Sequence, residues 1–308
     1  MKTLYDLLDN YLERLESLNY SKVTRRTTYY NCLDCIKWFE RTQGVKTADM
    51  LRKAHIETWQ KHLVSRRTKK GFPLKARSIN KKIECVKGLF KYLVEFGFMQ
   101  KKTFDILRYV KQPQVLPVGV LENRDMKKML RKIDISSMTG YRDRAILELM
   151  YSCGLRAGEI VKLDVRDVDF TNSLAKVTGK GSKERMVPVG KTAIRYLETY
   201  IRAVRPFMLL AGTEDAMFIN RHGTRLQYHS LRLIIIEHAG NVKLKEHITT
   251  HSFRRSCATE LIRGGANLYH VKELLGHEDL QSLKHYTKLT ITDLRKTHAK
   301  YHPRERDS

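Results

Sequence analysis

A proline-containing stretch, KQPQVLPVG at residues 111 to 119, constrains the fold of this 308-residue chain more than any other feature. Pro113 and Pro117 remove helix hydrogen-bond donors and restrict the residues before them, so a helix cannot run through the stretch. Together with the glycine that follows, they predict an extended segment. We therefore expect two domains joined by a linker, with bounds of 1–112, 113–119 and 120–308.

The first half has the pattern of helices throughout. Its apolar residues recur three and four positions apart, which is the spacing of one face of a helix. Ser21 and Ser78 are predicted to cap the second and fourth helices. A loop marked by Lys69, Lys70, Gly71 and Pro73 separates the third helix from the fourth. We predict four helices, marked by Leu4 to Leu15, Tyr29 to Phe39, Ile56 to Leu63 and Ile79 to Leu93.

The second half mixes helices with strands. Three alternating runs, VRDVDF, SLAKVTG and ERMVPV, are separated by turn residues and predict a small antiparallel sheet. Helices are predicted at 142–150, 156–163, 192–203, 230–238, 252–263 and 268–275. The predicted fold class is mainly α with a small antiparallel β-sheet, as an N-terminal helical domain followed by a mixed α/β domain.

The charge of the chain indicates a polyanionic partner. Lys and Arg number 59 against 33 Asp and Glu, giving a formal net charge of +26. An enzyme of small neutral substrates has no use for such an excess, whereas a nucleic acid would be attracted by it. The alternatives are a merely basic surface and a membrane-surface protein. No apolar run approaches the roughly 20 residues of a membrane span, and the acidic N-terminus is unlike a secretory signal, so we expect a cytoplasmic protein with no membrane partner.

The five cysteines predict reduced thiols and no metal site. An odd number cannot all pair with one another, and the CxxC spacing of Cys32 and Cys35 falls within a predicted helix with no second pair at a zinc-like distance. A zinc interpretation of His247 and His251 lacks the glutamate of HExxH and a third ligand. No cofactor is expected.

Six polar residues of the second half suggest chemistry on a phosphate. They are Arg156 in CGLRAGE, Lys180 in TGKGSKER, His251 and Arg254 in THSFRR, His277 in LLGHEDL and Tyr286 in LKHYTKL. An arginine fork can neutralise two phosphate oxygens at once, and a lysine can protonate a leaving oxygen. A phenol, with an ordinary pKa of about 10, needs nearby cations or a base to act as a nucleophile. Glu159, three residues after Arg156, is placed to orient its guanidinium.

Each residue also has a plain structural interpretation. Arg156 alone would be a surface arginine, and Lys180 a solvated lysine in a glycine-flanked turn. His277 follows a predicted helix end and would more often be a capping residue. Tyr286 is one of 15 tyrosines. The order and spacing of the whole set favour the catalytic interpretation.

The set resembles the tyrosine recombinases, also called the phage integrase family. The resemblance lies in four strings, YSCGLRAGEIVKL, VTGKGSKERMVPV, THSFRRSCATELI and LLGHEDLQSLKHYTKL. Within the family, these strings are similar to those of Xer-type recombinases and simple integrases. It implies a core-binding domain and a catalytic domain that together hold DNA. Residues Arg255, Cys257 and Glu260 depart from the common pattern, but none falls on a catalytic position.

The resemblance also implies a role for each site residue. Arg156 and Arg254 would bind the scissile phosphate, and Lys180 would protonate the 5′ leaving oxygen. His251 would assist proton transfer, and His277 would hydrogen-bond the phosphate. Glu159 would be the supporting acid, and Tyr286 would form a 3′-phosphotyrosyl link.

The resulting hypothesis is a site-specific DNA recombinase acting as a homotetramer on two double-stranded sites. The biological outcome, whether integration, excision, inversion or dimer resolution, stays open, as does the need for a partner recombinase or accessory protein. The alternatives are a nicking-closing enzyme like a type IB topoisomerase and a catalytically silent DNA-binding protein.

Overall fold

The computed structural model describes residues 2–112, 121–179, 183–210, 215–242 and 248–276. The chain forms two compact units, residues 1–114 and 115–308. The predicted linker at 113–119 lies outside the described residues. So do Lys180, His277 and Tyr286, together with the C-terminal tail.

The described part of the first unit contains four α-helices. Thr3 and Asp6 form a capping box at the start of α1, and the Ser21 hydroxyl accepts from the Thr24 N–H at the start of α2, as predicted. The fourth helix begins before Ser78, because Lys75 is its N-cap and Ser78 lies in its first turn. The helices are α1 (Leu4–Ser17), α2 (Lys22–Gln43), α3 (Lys53–Ser65) and α4 (Ala76–Glu95).

The core of the first unit is formed by apolar residues from all four helices. Leu8, Phe39, Trp59 and Phe90 are among its buried side chains. The predicted helical periodicity therefore corresponds to the faces that pack together. Burial here includes the thiols of the CxxC pair, which remain free.

The second unit contains the remaining eight α-helices of the described residues. They are α5 (Asn123–Arg131), α6 (Met138–Cys153), α7 (Ala157–Lys162), α8 (Lys191–Thr199), α9 (Arg205–Met208), α10 (Tyr228–Gly240), α11 (Thr250–Arg263) and α12 (Leu268–Leu275). The sequence pattern did not predict α5. The helix predicted over 192–203 is helical throughout, but a π-helix at Tyr200–Val204, which was not predicted, lies between α8 and α9. Pro206 accounts for this π-helix, since its ring crowds the carbonyl four residues earlier and it has no N–H to donate.

The sheet has the predicted three antiparallel strands in the order β1-β2-β3. Val168 pairs with Ala175, Ala175 with Val187, and Val177 with Arg185. The first strand is shorter than expected because residues 165–167 form a 3-10 turn. The strands are β1 (Val168–Asp169), β2 (Leu174–Thr178) and β3 (Glu184–Pro188).

Helix α6 forms the centre of the second core. It packs against α8 and α11, and most of its side chains are buried. Its charged residues are paired inside the core: Arg142 donates to Asp143 at 2.9 and 2.6 Å, and Asp143 faces His238 Nε2 of α10 at 3.0 Å. Within the described residues, no helix combines the length and apolar composition needed to cross a membrane.

Candidate active site

Arg156 lies at a sharp turn between two helices. Gly154 ends α6 in the left-handed conformation with φ of 61°, and Arg156 is the N-cap of α7. The Glu159 carboxylate accepts from the Arg156 main-chain N–H at 2.8 Å and from its Nη1 at 2.9 Å. This local motif holds the guanidinium in one direction, while the side chain remains 35 % exposed.

Glu159 is a buried carboxylate held by cations. Its side chain is only 3 % exposed. Burial tends to raise the pKa of Glu159, but hydrogen bonds from Arg185 and from the Arg156 N–H outweigh this effect and leave its pKa below the ordinary value. The carboxyl is therefore ionised at neutral pH and balances part of the positive charge around it.

Arg254 reaches the same region from α11. It is 4 % exposed, and its Nη1 donates to the Gly154 carbonyl at 2.9 Å. Its Nη2 donates to the Leu275 carbonyl at the end of α12. Arg156 Nη2 donates to the next carbonyl, that of Gly276, at 2.8 Å. The two arginines thus converge on neighbouring peptide groups that precede His277 in the sequence.

His251 lies on α11 three residues before Arg254. Its side chain is exposed, whereas that of Arg254 is buried. The structure therefore brings Arg156, Glu159 and Arg254 together, and His251 lies one turn before Arg254 with an exposed side chain.

Gly179, the last described residue after β2, also approaches this cluster. Gly179 donates to the Lys183 carbonyl at 2.8 Å. A Cβ built on Gly179 would lie 3.6 Å from Glu159 Oε1 and 3.7 Å from Arg185 Nη1. The residue that precedes Lys180 is therefore beside the Glu159 carboxylate.

Arg185 belongs to this cluster and was missed by the sequence analysis. Its Nη1 and Nη2 donate to the two Glu159 oxygens at 2.9 and 3.0 Å, and its Nε donates to the Leu274 carbonyl at 3.0 Å. A usable signal was present in the sequence. Alternation along β3 puts Arg185 on the same face as the buried Val187, and a charged residue on an inward face requires a partner.

The arrangement is suited to binding an anion. The guanidinium groups of Arg156 and Arg185 pair with the single Glu159 carboxylate, and Arg254 donates to the nearby Gly154 carbonyl. Three cations and one carboxylate leave the cluster net positive, and Arg156 retains access to solvent. Fixed cations of this kind stabilise charge that builds up on phosphate oxygens during transfer. Within the described ranges, no group of three or more His, Cys, Asp or Glu residues is placed to hold a metal ion. All five cysteines are free thiols, as predicted.

Comparison with known proteins gives consistent results. The sequence profile of the phage integrase family matches residues 119–292. Tyrosine recombinase XerD of Staphylococcus epidermidis is 36 % identical over 229 residues, covering 74 % of this chain and 77 % of that protein. The XerH site-specific recombinase bound to its difH substrate has a similar fold, with a TM-score of 0.71 at 21 % identity, over 94 % of this chain and 83 % of that one. A lambda integrase tetramer bound to a Holliday junction gives a TM-score of 0.70 at 17 % identity, over 93 % and 78 %.

Proposed function

Since this chain belongs to the phage integrase family and is a tyrosine site-specific recombinase, we propose that it cuts and rejoins double-stranded DNA through a 3′-phosphotyrosyl link to Tyr286. The observation that carries the proposal is the convergence of Arg156 and Arg254 on the end of α12, with Glu159 fixing the first of them. The net charge of +26 supports DNA as the partner.

In the proposed cleavage step, the Tyr286 phenolic oxygen attacks the scissile phosphorus. A bond forms between that oxygen and phosphorus, and the bond from phosphorus to the 5′ oxygen breaks. His251 takes part in removing the phenolic proton, and Lys180 supplies a proton to the 5′ oxygen. Arg156, Arg254 and His277 stabilise the charge on the non-bridging oxygens.

Religation reverses this step with a 5′ hydroxyl as the attacking group. The phosphodiester energy is kept in the protein–DNA ester, so neither ATP nor a metal ion is required. If the attacking 5′ hydroxyl comes from a second duplex, the strands are exchanged. We propose a homotetramer on two DNA sites for this exchange, supported by the tetramer of lambda integrase on a Holliday junction.

The remaining assignments belong to the same proposal. Residues 1–112 act as the core-binding domain and residues 120–308 as the catalytic domain. The protein works in the cytoplasm, associated with the nucleoid when bound to DNA. Which biological outcome it serves is set by the sites that it recognises and by any partner recombinase.

The test begins with the DNA that becomes attached to the protein. Wild-type protein is produced in bacterial cells, covalent protein–DNA adducts are isolated under denaturing conditions, and the attached DNA is sequenced. The recovered site is then synthesised as a duplex with a nick beside the cleavage position, so that the leaving fragment diffuses away and the adduct accumulates. We expect the wild type and a Tyr301→Phe control to form the adduct, and Tyr286→Phe to form none.

Three results would contradict parts of the proposal. An adduct with Tyr286→Phe would show that another residue is the nucleophile. A wild-type protein that binds the site and never forms an adduct would favour a silent DNA-binding protein. Relaxation of supercoiled DNA by the monomer, without a requirement for paired sites, would favour a topoisomerase-like enzyme.

A further inference from the structure

Three arginines from different elements donate to three successive carbonyls at the end of α12. Arg185 Nε donates to Leu274 at 3.0 Å, Arg254 Nη2 to Leu275, and Arg156 Nη2 to Gly276 at 2.8 Å. The last carbonyls of a helix have no partners within the helix and carry partial negative charge. This helix end is thus fixed by cations from β3, α11 and the start of α7.

Arg185 differs from the other two arginines in what its side chain does. Each of its three nitrogens donates to a protein oxygen, two to Glu159 and one to Leu274. It is 16 % exposed, against 35 % for Arg156. Its hydrogen bonds are thus directed to the protein, whereas Arg156 has a more accessible surface for a ligand.

Arg185 lies beside groups that adjoin three proposed catalytic residues, Arg156, Lys180 and His277. Glu159 connects it to the guanidinium of Arg156. Gly179, which precedes Lys180, lies beside its Nη1. A Cβ on Gly276, which precedes His277, would lie 3.0 to 3.1 Å from its guanidinium atoms. The Gly276 carbonyl is part of the planar peptide unit that leads to His277.

We propose that Arg185 is a positioning residue for phosphoryl transfer, acting through Glu159 on Arg156 and through the Leu274 carbonyl on the end of α12. The inference rests on the proposed function of the same site. A lysine cannot replace it, because a single ammonium cannot span both Glu159 oxygens and the Leu274 carbonyl at once. A displacement of about 1 Å in such a site can lower the rate on the order of 100-fold.

The test compares Arg185→Lys with a matched control, Arg142→Lys. Arg142 is also buried, donates to a carboxylate, Asp143, and donates to a main-chain carbonyl, Ile219, at 3.1 Å. The first readout is hydrogen exchange of the main-chain amides of residues 268–276 without DNA. We expect exchange to accelerate by about tenfold or more in Arg185→Lys as the helix end is released, and to stay at the wild-type rate in Arg142→Lys.

The second readout separates DNA binding from cleavage on the nicked duplex described above. For Arg185→Lys we expect a Kd within about threefold of wild type and an adduct-formation rate lower by about 10- to 100-fold. Arg142→Lys should retain the wild-type rate in its folded fraction. In a Glu159→Gln background, Arg185→Lys should lower the adduct-formation rate by a much smaller factor than it does in the wild type. The reason is that Arg185 acts on Arg156 through Glu159, so the two substitutions disturb the same contact.

The possible results separate this inference from the proposed function. Wild-type exchange at 268–276, or a wild-type cleavage rate, in folded Arg185→Lys would overturn the inference, as would fully additive effects with Glu159→Gln. If Arg185→Lys does not fold, Glu159→Gln alone tests the same link and must slow cleavage without loss of DNA binding. A wild type that forms no adduct would refute the proposed function, and the exchange comparison would then still decide whether Arg185 fixes the helix end.

Discussion

Replacing Gly154 by alanine should destabilise the second unit far more than a glycine-to-alanine change normally does. Gly154 has a left-handed φ of 61°, in which an added Cβ costs about 1–2 kcal/mol. That Cβ would also lie 2.5 Å from Leu275 Cδ2 and 3.3 Å from Cys257 Sγ. Overpacking of this kind costs about 1–3 kcal/mol. We therefore expect a loss of about 2–5 kcal/mol in the free energy of unfolding, as the sum of the two effects.

Gly265→Ala is the matched control in the same unit. Gly265 also has a positive φ, of 86°, but an added Cβ would meet no atom within 4 Å. Only the backbone effect of about 1–2 kcal/mol applies to it. The difference between the two variants isolates the close contacts of the added Cβ, and most of it should disappear in a Leu275→Ala background, where the nearest clashing methyl group is absent.

Urea unfolding can resolve the two units. Both tryptophans, Trp38 and Trp59, lie in the first unit, so fluorescence follows that unit while far-UV circular dichroism follows both. The fluorescence transition should be unchanged in all variants, and the remaining dichroism transition should move to lower urea in Gly154→Ala. Equal losses for Gly154→Ala and Gly265→Ala, within about 0.5 kcal/mol, would refute the reasoning.

Two further predictions follow from the pKa values of buried groups. Because the pKa of Glu159 is lowered in the folded protein, its carboxylate stabilises the fold above the ordinary glutamate pKa, and this contribution is lost as the pH falls through the lowered value. Thermal melts from pH 7 to 3 should therefore show a smaller acid-induced loss for Glu159→Gln than for wild type, and an identical loss would contradict the assignment. Burial raises the pKa of Cys153 to about 12 and that of Cys257 to about 11, so iodoacetamide at pH 8 should label them slowly in the native protein and rapidly in urea by mass spectrometry. Rapid native labelling of Cys257 would be inconsistent with its burial.

Local features of the sequence predicted most of the described elements. The N-cap at Ser21 and the bounds of α12 depend on residues within four positions of one another. The three strands were also predicted, because alternation and turn residues are local signals. The start of α4 and the π-helix were not predicted from the sequence. The first turn of α4 is exposed, and the π-helix reflects the effect of Pro206 on the preceding helix, so both depend on how the whole segment packs.

The candidate site was predicted only in part for the same reason. The pairing of Arg156 with Glu159 is a three-residue contact and could be anticipated. The contact of Arg185 with Glu159 spans 26 residues, and its contact with Leu274 spans 89. Alternation along β3 indicates that Arg185 faces inward but does not identify its partners, so these contacts emerged only from the folded chain.

The sequence by itself therefore determined the helical first half, the mixed second half, the family and the order of the polar residues. The tertiary structure decided which carbonyls and carboxylate these cations meet, because Arg254 and Gly154 lie 100 residues apart and Arg156 and Gly276 lie 120 apart. Helix and strand formation is governed by interactions between near neighbours in the chain. A site that gathers positive charge requires distant segments to pack first, since only burial against one another brings their partners within hydrogen-bonding distance.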